Sequence, residues 1–255
     1  ICGNSLLDSF NGVPLLNNLQ GNAFYENINQ ETDRNYLIDC QKKLFNETDP
    51  KTKKILRQEI QSFYDDIVEK NLVDSILIDR YKVAAQKKSL PFVLWQLCFP
   101  TVFEGGGFDI VIGNPPYGAK ISDADKKFFK KTFRCAKTIK SVQKGSTDTF
   151  ALFIERAFDL CKTGGFVSLI VSMSFTSSDS MTALHNFLEK NCKTIQVSSY
   201  SDHPKKIFAA AYAKTAIVSF QKTLTPCQEI FTTKLLRRSE KITLKRVMEK
   251  LSFVE

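Results

Sequence analysis

The sequence predicts an α/β fold in which helices pack against an open sheet and a helical module is inserted. Between residues 108 and 221, short runs rich in β-branched residues alternate with apolar residues at helical spacing, which is typical of strands and helices that follow one another. Residues 31–88 instead carry apolar residues at helical spacing throughout, with charged residues between them. A chain of 255 residues is long enough for one core and such a module.

The front of the chain combines a short apolar run, a polar loop and the helical module. Residues 1–7 predict a strand with a polar end, and residues 8–29, which are rich in Asn and Gly, predict a loop. Pro50 and Asn71–Leu72 are the predicted breaks between helices. The predicted domains are a strand and loop of the core, the inserted module, the main core and a basic C-terminal segment, over residues 1–10, 11–90, 91–222 and 223–255.

The main core is predicted to alternate between strands and helices. The strands cover residues 108–113, 166–171, 194–200 and 215–221, and the helices cover residues 148–162 and 179–191. The first strand, FDIVIG, is β-branched and ends in glycine, which is typical of a strand buried on both faces. It delivers Asn114, Pro115, Pro116 and Tyr117 to its carboxyl end, where open α/β sheets place ligand contacts.

This tetrapeptide has the groups needed to activate an exocyclic amine. Such an amine is a poor nucleophile because its lone pair is delocalised into the ring. Two acceptors facing its N–H bonds hold the nitrogen nearer tetrahedral geometry and stabilise the charge that develops on attack. The side-chain oxygen of Asn114 and the carbonyl oxygen of Pro115 are two such acceptors. Tyr117 offers a flat face for stacking a base, a contact worth about 1 to 3 kcal/mol.

Four stretches of the chain resemble, in order, the adenine methylases of restriction-modification and related phage-defence systems, in which (D/N/S)PP(Y/F/W) follows a buried strand. The stretches are CGNSLL, LWQLCFPTVFEGGGFDIVIGNPPYG, TFALFIERAFDLCKTGGFVSLIVS and KIFAAAYAKTAIVSFQK. The resemblance implies a partial Rossmann-like S-adenosylmethionine methyltransferase sheet. It also implies transfer of a methyl group from S-adenosylmethionine to the N6 amine of adenine in DNA.

The resemblance also implies roles for individual residues. Implied cofactor contacts are Asn4, Ser5, Pro116 and Phe153. Asn4 takes the place of an acidic or amide side chain that contacts the adenine of the cofactor, where many relatives have Asp, and Phe153 lines the pocket for that adenine. Phe208 stacks on the flipped target base opposite Tyr117, with an ordinary core position as its alternative. Base flipping is required because N6 cannot be reached inside a duplex.

Basic charge is concentrated in two segments of a chain whose net charge is +9. Residues 119–145 contain nine Lys or Arg against two Asp, and residues 234–250 contain seven against two Glu. Such patches suit a polyanion, because each neutralised phosphate releases condensed counterions. A solvated lysine-rich surface is the alternative. We expect double-stranded DNA as the partner, its backbone contacted by Lys120, Lys126, Lys127, Lys130 and Lys131.

Composition excludes several other classes. The seven cysteines form no CxxC pair and the two histidines lie at no ligand spacing, so we expect reduced thiols, a cytoplasmic protein and no metal. No run of about 18 apolar residues predicts a membrane segment. Because the chain begins with Ile1 on a predicted strand end, we expect a piece of a longer polypeptide. The resemblance implies an upstream glycine-rich cofactor turn, a downstream target-recognition domain, and restriction or specificity modules that are fused or associated.

Two alternatives to adenine methylation stay open at this point. Methylases of a glutamine in a protein or of a base in ribosomal RNA also use Asn-Pro-Pro-Tyr, with nearly identical chemistry. The helical insertion, the Phe208 motif and the basic segments favour a large DNA enzyme instead. The other alternative is a fragment that binds DNA without turning over, since the glycine-rich cofactor turn is absent from these 255 residues.

Overall fold

The computed structural model describes residues 4–10, 13–15, 31–72, 74–86, 90, 92–203, 214–237 and 252–254. The chain forms two compact units, Ile1–Gly105 and Gly106–Glu255, and each is described by itself. Among the helices that the structure describes, none combines the length and the hydropathy of a membrane-spanning segment. The four-part division made from the sequence stays a prediction.

The first unit opens with a turn and a small hairpin. Strands β1 (Ser9–Phe10) and β2 (Val13–Pro14) pair antiparallel. Before them, the side-chain oxygen of Asn4 accepts a hydrogen bond from the Leu6 amide at 3.1 Å, and the Leu7 amide donates to the Asn4 carbonyl at 3.1 Å. A turn closed by an Asn side chain competes with extended backbone, so the strand predicted at the front is wrong for the residues described there.

The helical module of the first unit has three long helices, as predicted. They are α1 (Glu31–Asn46), α2 (Pro50–Asn71) and α3 (Ser75–Gln86). The break before α2 is well defined, because Asp49 accepts a hydrogen bond from the Thr52 amide at 2.8 Å and Pro50 occupies the first helical position. The second break follows at Leu72. Both predicted breaks are therefore confirmed.

Aromatic packing joins the helical module to the rest of its unit. The ring of Tyr81 on α3 is buried, with its centroid 6.0 Å from that of Phe10 and 6.2 Å from that of Phe92. Two short helices, α4 (Trp95–Cys98) and α5 (Pro100–Glu104), complete the unit. Burial of a large side chain of this kind stabilises a fold by about 1.5 to 3 kcal/mol.

The second unit is built on a six-stranded mixed sheet. Its strands are β3 (Phe108–Gly113), β4 (Cys161–Ser172), β5 (Cys192–Tyr200), β6 (Thr215–Lys222), β7 (Glu229–Thr233) and β8 (Phe253–Val254). They lie in the order β3-β4-β6-β5-β7-β8. β3 is parallel to β4, β6 is antiparallel to both β4 and β5, β7 is parallel to β5, and β8 is antiparallel to β7. The predicted α/β class with a partial Rossmann-like sheet is confirmed.

Helices connect these strands, and two of them correspond to the helices predicted over residues 148–162 and 179–191, whereas those that begin at Asp123 and Ser174 were not predicted. They are α6 (Asp123–Thr132), α7 (Thr149–Leu160), α8 (Ser174–Ser177) and α9 (Thr182–Asn191), with a 3-10 turn at Asp179–Met181. Most side chains of α7 are buried, and the helix stops at Cys161, where β4 begins. β4 passes close to β3, since a Cβ atom at Gly165 would lie 2.7 Å from the carbonyl oxygen of Asp109.

The first strand of this sheet differs from its prediction in one respect. β3 is a strand, but it lies at the sheet edge and pairs with β4 alone among the described strands. Ile110 and Ile112 are 60% and 78% exposed, so the prediction of a strand buried on both faces is wrong for the structure as described. A β-branched run marks a strand, but its burial depends on which other elements cover it.

Candidate active site

The Asn-Pro-Pro-Tyr loop, residues 114–117, follows β3 at the carboxyl end of the strand. Because β3 and β4 run parallel, the loop leaves the sheet beside the last residues of β4. Asn114 is exposed, Pro115 is buried and Tyr117 is half-buried. The loop therefore presents the Asn114 side chain to solvent while its neighbours tie it to the unit.

The two prolines leave the loop dependent on side chains for its anchoring. Neither Pro115 nor Pro116 has an amide N–H to donate, so both are lost as backbone donors. The hydroxyl of Thr149, the first residue of α7, donates instead to the Pro116 carbonyl oxygen over 2.7 Å. Thr149 is 4% exposed. Within the described residues the carbonyl oxygen of Pro115 accepts no hydrogen bond, so no donor of the fold competes for it.

Tyr117 supplies the second anchor. Its hydroxyl oxygen lies 2.9 Å from the side-chain oxygen of Asn114 and 3.0 Å from the Ile170 carbonyl oxygen on β4. Burial raises the pKa of the Tyr117 hydroxyl, so the group stays protonated and acts as a donor near neutral pH. A hydroxyl has one hydrogen, so it can fully serve only one of these two acceptors at a time.

The residues with implied cofactor roles fall in both units. Phe153 is half-buried on α7, one helical turn after Thr149 and on the same helix face. Asn4 is exposed and Ser5 half-buried in the first unit, where the Ser5 carbonyl accepts a hydrogen bond from the Trp95 indole at 3.1 Å. A common cofactor site for these residues stays a prediction. Phe208 lies outside the described residues, so its stacking role stays a prediction.

The predicted DNA-contacting lysines lie on and just before α6. Ser122 caps the helix by accepting a hydrogen bond from the Asp125 amide at 3.1 Å, and the inward face carries the buried Phe128 and Phe129. All five lysines are exposed: Lys120, Lys126, Lys127, Lys130 and Lys131. Lys126 and Lys130 are four residues apart, as are Lys127 and Lys131, so each pair lies along one side of the helix. The outward face of α6 therefore presents a compact basic surface.

An ion pair between a buried carboxylate and a partly exposed guanidinium holds the segment after α6 against α7. The carboxylate of Glu155, 1% exposed, accepts hydrogen bonds from the Arg134 amide at 2.8 Å, the Arg134 Nε at 2.9 Å and the Cys135 amide at 2.7 Å. The guanidinium of Arg134 also pairs with Asp159 and lies 4.1 Å from the centroid of the Phe187 ring. The basic helix and the helix that carries Thr149 are thus connected through one charged side chain.

Sequence reasoning missed Thr149 and Glu155 as parts of this arrangement. A signal was present for each. Thr149 is a hydroxyl residue in the first turn of the helix that follows the proline loop, and Glu155 is an acidic residue inside an otherwise apolar helix face. What the local pattern lacks is the partner, which lies 33 residues away for Thr149 and 21 for Glu155.

A model of one protein family covers most of this chain. The family is described as Eco57I restriction-modification methylase, and the match spans residues 17–208. The chain belongs to the Eco57I restriction-modification methylase family. This agrees with the resemblance drawn from the four sequence stretches.

Relatives of this Eco57I-family chain are much longer than the region they share with it. It is 28% identical over 106 residues to the type II methyltransferase M.TthHB8I of Thermus thermophilus, covering 40% of this chain and 23% of that one. It is 36% identical over 86 residues to the adenine-specific methyltransferase BrxX of Escherichia coli, covering 33% and 6%. A solved DrdV–DNA complex matches with a TM-score of 0.46 and 17% identity, covering 64% of this chain and 18% of that one.

A cavity lies in the first unit. It has a volume of about 650 Å³ and lies between α2, α3 and residues 90–98. Its lining includes Lys54 and Arg57 but none of the residues predicted to act in catalysis. Among the described residues, no three His, Cys, Asp or Glu side chains cluster as metal ligands would.

Proposed function

We propose that this protein transfers the methyl group of S-adenosylmethionine to the N6 amine of an adenine in double-stranded DNA. The observation that carries the proposal is the pair of acceptors at the carboxyl end of β3. Asn114 is exposed and its side-chain oxygen contacts only the Tyr117 hydroxyl among the described residues, while the Pro115 carbonyl accepts no hydrogen bond from them. An amine with two N–H bonds matches two adjacent acceptors, and a hydroxyl or thiol substrate has only one hydrogen to give them.

The two acceptors accelerate the reaction because they contact the amine group on which positive charge develops. As the amine nitrogen attacks the methyl carbon, it gains positive charge, and acceptors aimed at its hydrogens stabilise that charge more than they stabilise the ground state. Bound S-adenosylmethionine would supply the methyl group from its sulfonium, whose carbon–sulfur bond would break as the nitrogen–carbon bond formed, and the nitrogen would then release one proton to water. No strong base is required, because the methylated amine is far more acidic than the starting one.

Stacking supplies the energy that holds the base in place. An adenine taken out of the duplex loses a few kcal/mol of stacking and pairing, of which one aromatic face returns about 1 to 3 kcal/mol. Tyr117 is the aromatic side chain beside the acceptors, and its ring is half-buried. We assign the opposite face of the base to Phe208.

The cofactor is assigned to residues whose surroundings suit it. S-adenosylmethionine supplies an electrophilic methyl group on a sulfonium. Phe153, half-buried one turn from the residue that holds the loop, offers an apolar surface for the adenine of the cofactor, and the exposed Pro116 lies next to the acceptor carbonyl. We assign Asn4 and Ser5 to the same cofactor, with the exposed Asn4 amide as the polar contact.

DNA is assigned from charge together with family membership. Restriction-modification methylation acts on DNA, and BrxX is an adenine-specific member among the relatives. The exposed lysines of α6 form a basic surface in the same unit as the acceptor loop. We assign these lysines to the phosphate backbone, with fused or associated restriction and specificity modules as further partners.

The test replaces Asn114 with Ala in the full-length protein. Loss of one preorganised contact to a developing charge typically lowers kcat by about 100- to 1000-fold. We expect methyl transfer to fall by that factor, while DNA binding measured by fluorescence anisotropy stays close to wild type. Long-read modification mapping of host DNA should show N6-methyladenine with the wild-type gene and lose it with N114A. Unmodified host DNA, or full activity of N114A, contradicts the proposal.

A further inference from the structure

Helix α7 and the proline loop are joined by a hydrogen bond from a side chain. The hydroxyl of Thr149 lies 2.7 Å from the carbonyl oxygen of Pro116, and the side chain is buried. We propose that Thr149 is a positioning residue for methyl transfer, which acts by binding the Pro116 carbonyl and leaving the Pro115 carbonyl to the substrate amine. The inference rests on the proposed function, since it assigns a role in that same reaction.

The loop requires an external donor because of its own composition. A typical four-residue turn is held by hydrogen bonds from its own backbone amides, but residues 115 and 116 have none. At these two positions the backbone offers only carbonyl acceptors, so hydrogen bonds can fix it only through donors that reach these carbonyls. Thr149 supplies such a donor to Pro116, and Tyr117, within the loop, contacts Asn114 and the Ile170 carbonyl through its hydroxyl.

The two donors fix different ends of the loop. Tyr117 contacts Asn114 and the Ile170 carbonyl, and it has to give up the Asn114 oxygen when a substrate amine arrives. Thr149 contacts an oxygen that the substrate does not need. Its hydrogen bond can therefore persist through the reaction, so Thr149 keeps the Pro115 carbonyl oriented while the contacts of Tyr117 change.

The position of Thr149 on a buried helix makes this anchor rigid. Its neighbours on α7, Phe150 to Leu152, are each at most 4% exposed. The Ala151 amide donates to the Asp148 carbonyl at 3.0 Å, so the first helical turn is formed. The proposed reaction requires the Pro115 carbonyl to keep its position relative to the substrate amine. A displacement of about 1 Å at a reacting centre can lower the rate about 100-fold.

The experiment compares variants of Thr149 in the full-length protein. Valine is nearly isosteric with threonine and lacks only the donor. We expect T149V to lower kcat by about 10- to 100-fold, with KM for S-adenosylmethionine and Kd for DNA changed less than about threefold. T149S keeps the donor and should retain kcat within about threefold of wild type, because a serine hydroxyl can make the same hydrogen bond.

A matched control is available on the neighbouring helix. Thr132 donates its hydroxyl to the Phe128 carbonyl at 2.9 Å, away from the loop. T132V makes the same chemical change and should leave kcat unchanged. If T149V proves insoluble, T149S and T149A form the second comparison, because both lose the methyl group and only the alanine also loses the donor.

The outcomes separate this inference from the proposed function. Wild-type activity on adenine, an inactive N114A and an unchanged kcat for T149V overturn the role of Thr149 alone. Equal losses in T149S and T149V also overturn it, because T149S keeps the hydroxyl donor and absence of the donor could then not be the cause of the loss. A wild-type protein that leaves DNA adenine unmodified overturns the proposed function and this inference together.

Discussion

The hydroxyl of Tyr117 lies 2.9 Å from the side-chain oxygen of Asn114, so the residue proposed to stack the base also contacts the acceptor proposed to bind its amine. The same hydroxyl lies 3.0 Å from the Ile170 carbonyl oxygen. A substrate amine that approaches Asn114 must displace the first contact, and the second is available to receive the hydroxyl hydrogen. The exchange leaves no buried donor unpaired, which keeps the cost of opening the site low.

Replacing Tyr117 with Phe should separate the two functions of this side chain. Phe keeps the stacking face and loses the hydrogen bond to β4, which is worth about 1 kcal/mol, so we expect kcat to fall by roughly fivefold. Tyr117→Ala loses stacking as well, and should reduce both kcat and the fluorescence signal of a 2-aminopurine placed at the target position. Equal losses in the two variants would show that stacking contributes nothing.

The activity should show no titration of Tyr117 in the usual assay range. Burial raises the pKa of the hydroxyl above its ordinary value of about 10, so the protonated donor form is retained as the pH rises towards that value. Between about pH 7 and pH 9, the ratio of kcat for wild type and Y117F should therefore stay constant. A ratio that falls as the pH rises through this range would indicate a hydroxyl that ionises more readily than the structure predicts.

The outcome for β3 shows what a local pattern can and cannot predict. FDIVIG was sufficient to predict the strand and its position before the loop, because β-branched residues and a terminal glycine are properties of the segment itself. The exposure of Ile110 and Ile112 was not predictable in this way. It depends on which elements lie beside the strand, and this information is not contained in six residues.

The residues of the candidate site also differ in whether the local sequence could predict them. Asn114, Pro115 and Tyr117 could be proposed as site residues from the sequence, because their chemistry is contiguous in the chain. Thr149 could not, because its contact with the loop arises only when α7 packs beside β3. Asn4 shows the converse case, in which a side chain expected at a strand end instead closes a turn with the Leu6 amide.

Removing the buried charge of Glu155 should destabilise the second unit. Glu155→Gln keeps the volume but replaces one acceptor oxygen by an NH2 group, which leaves a backbone amide or the Arg134 guanidinium without its partner. Arg134 retains partial access to solvent, so we expect a loss of roughly 2 to 4 kcal/mol in the free energy of unfolding, measured by urea denaturation. The exposed pair of Asp123 and Lys126 provides the control, since D123N should leave the unfolding midpoint unchanged. A wild-type midpoint for E155Q would mean that the fold does not depend on this ion pair.

The basic surface of α6 should determine how DNA binding depends on salt. Replacing Lys126, Lys127, Lys130 and Lys131 with Gln removes four exposed charges. Each phosphate contact that is lost lowers the slope of log K against log salt by about 0.9, so up to four contacts should weaken binding and flatten the slope together. A control with equal charge loss replaces four exposed lysines of the helical module, namely Lys42, Lys51, Lys54 and Lys70. If both sets change the slope equally, the effect reflects net charge. The lysines of α6 are then a solvated surface and do not contact the DNA backbone. A larger change for the α6 set places the DNA backbone along this helix.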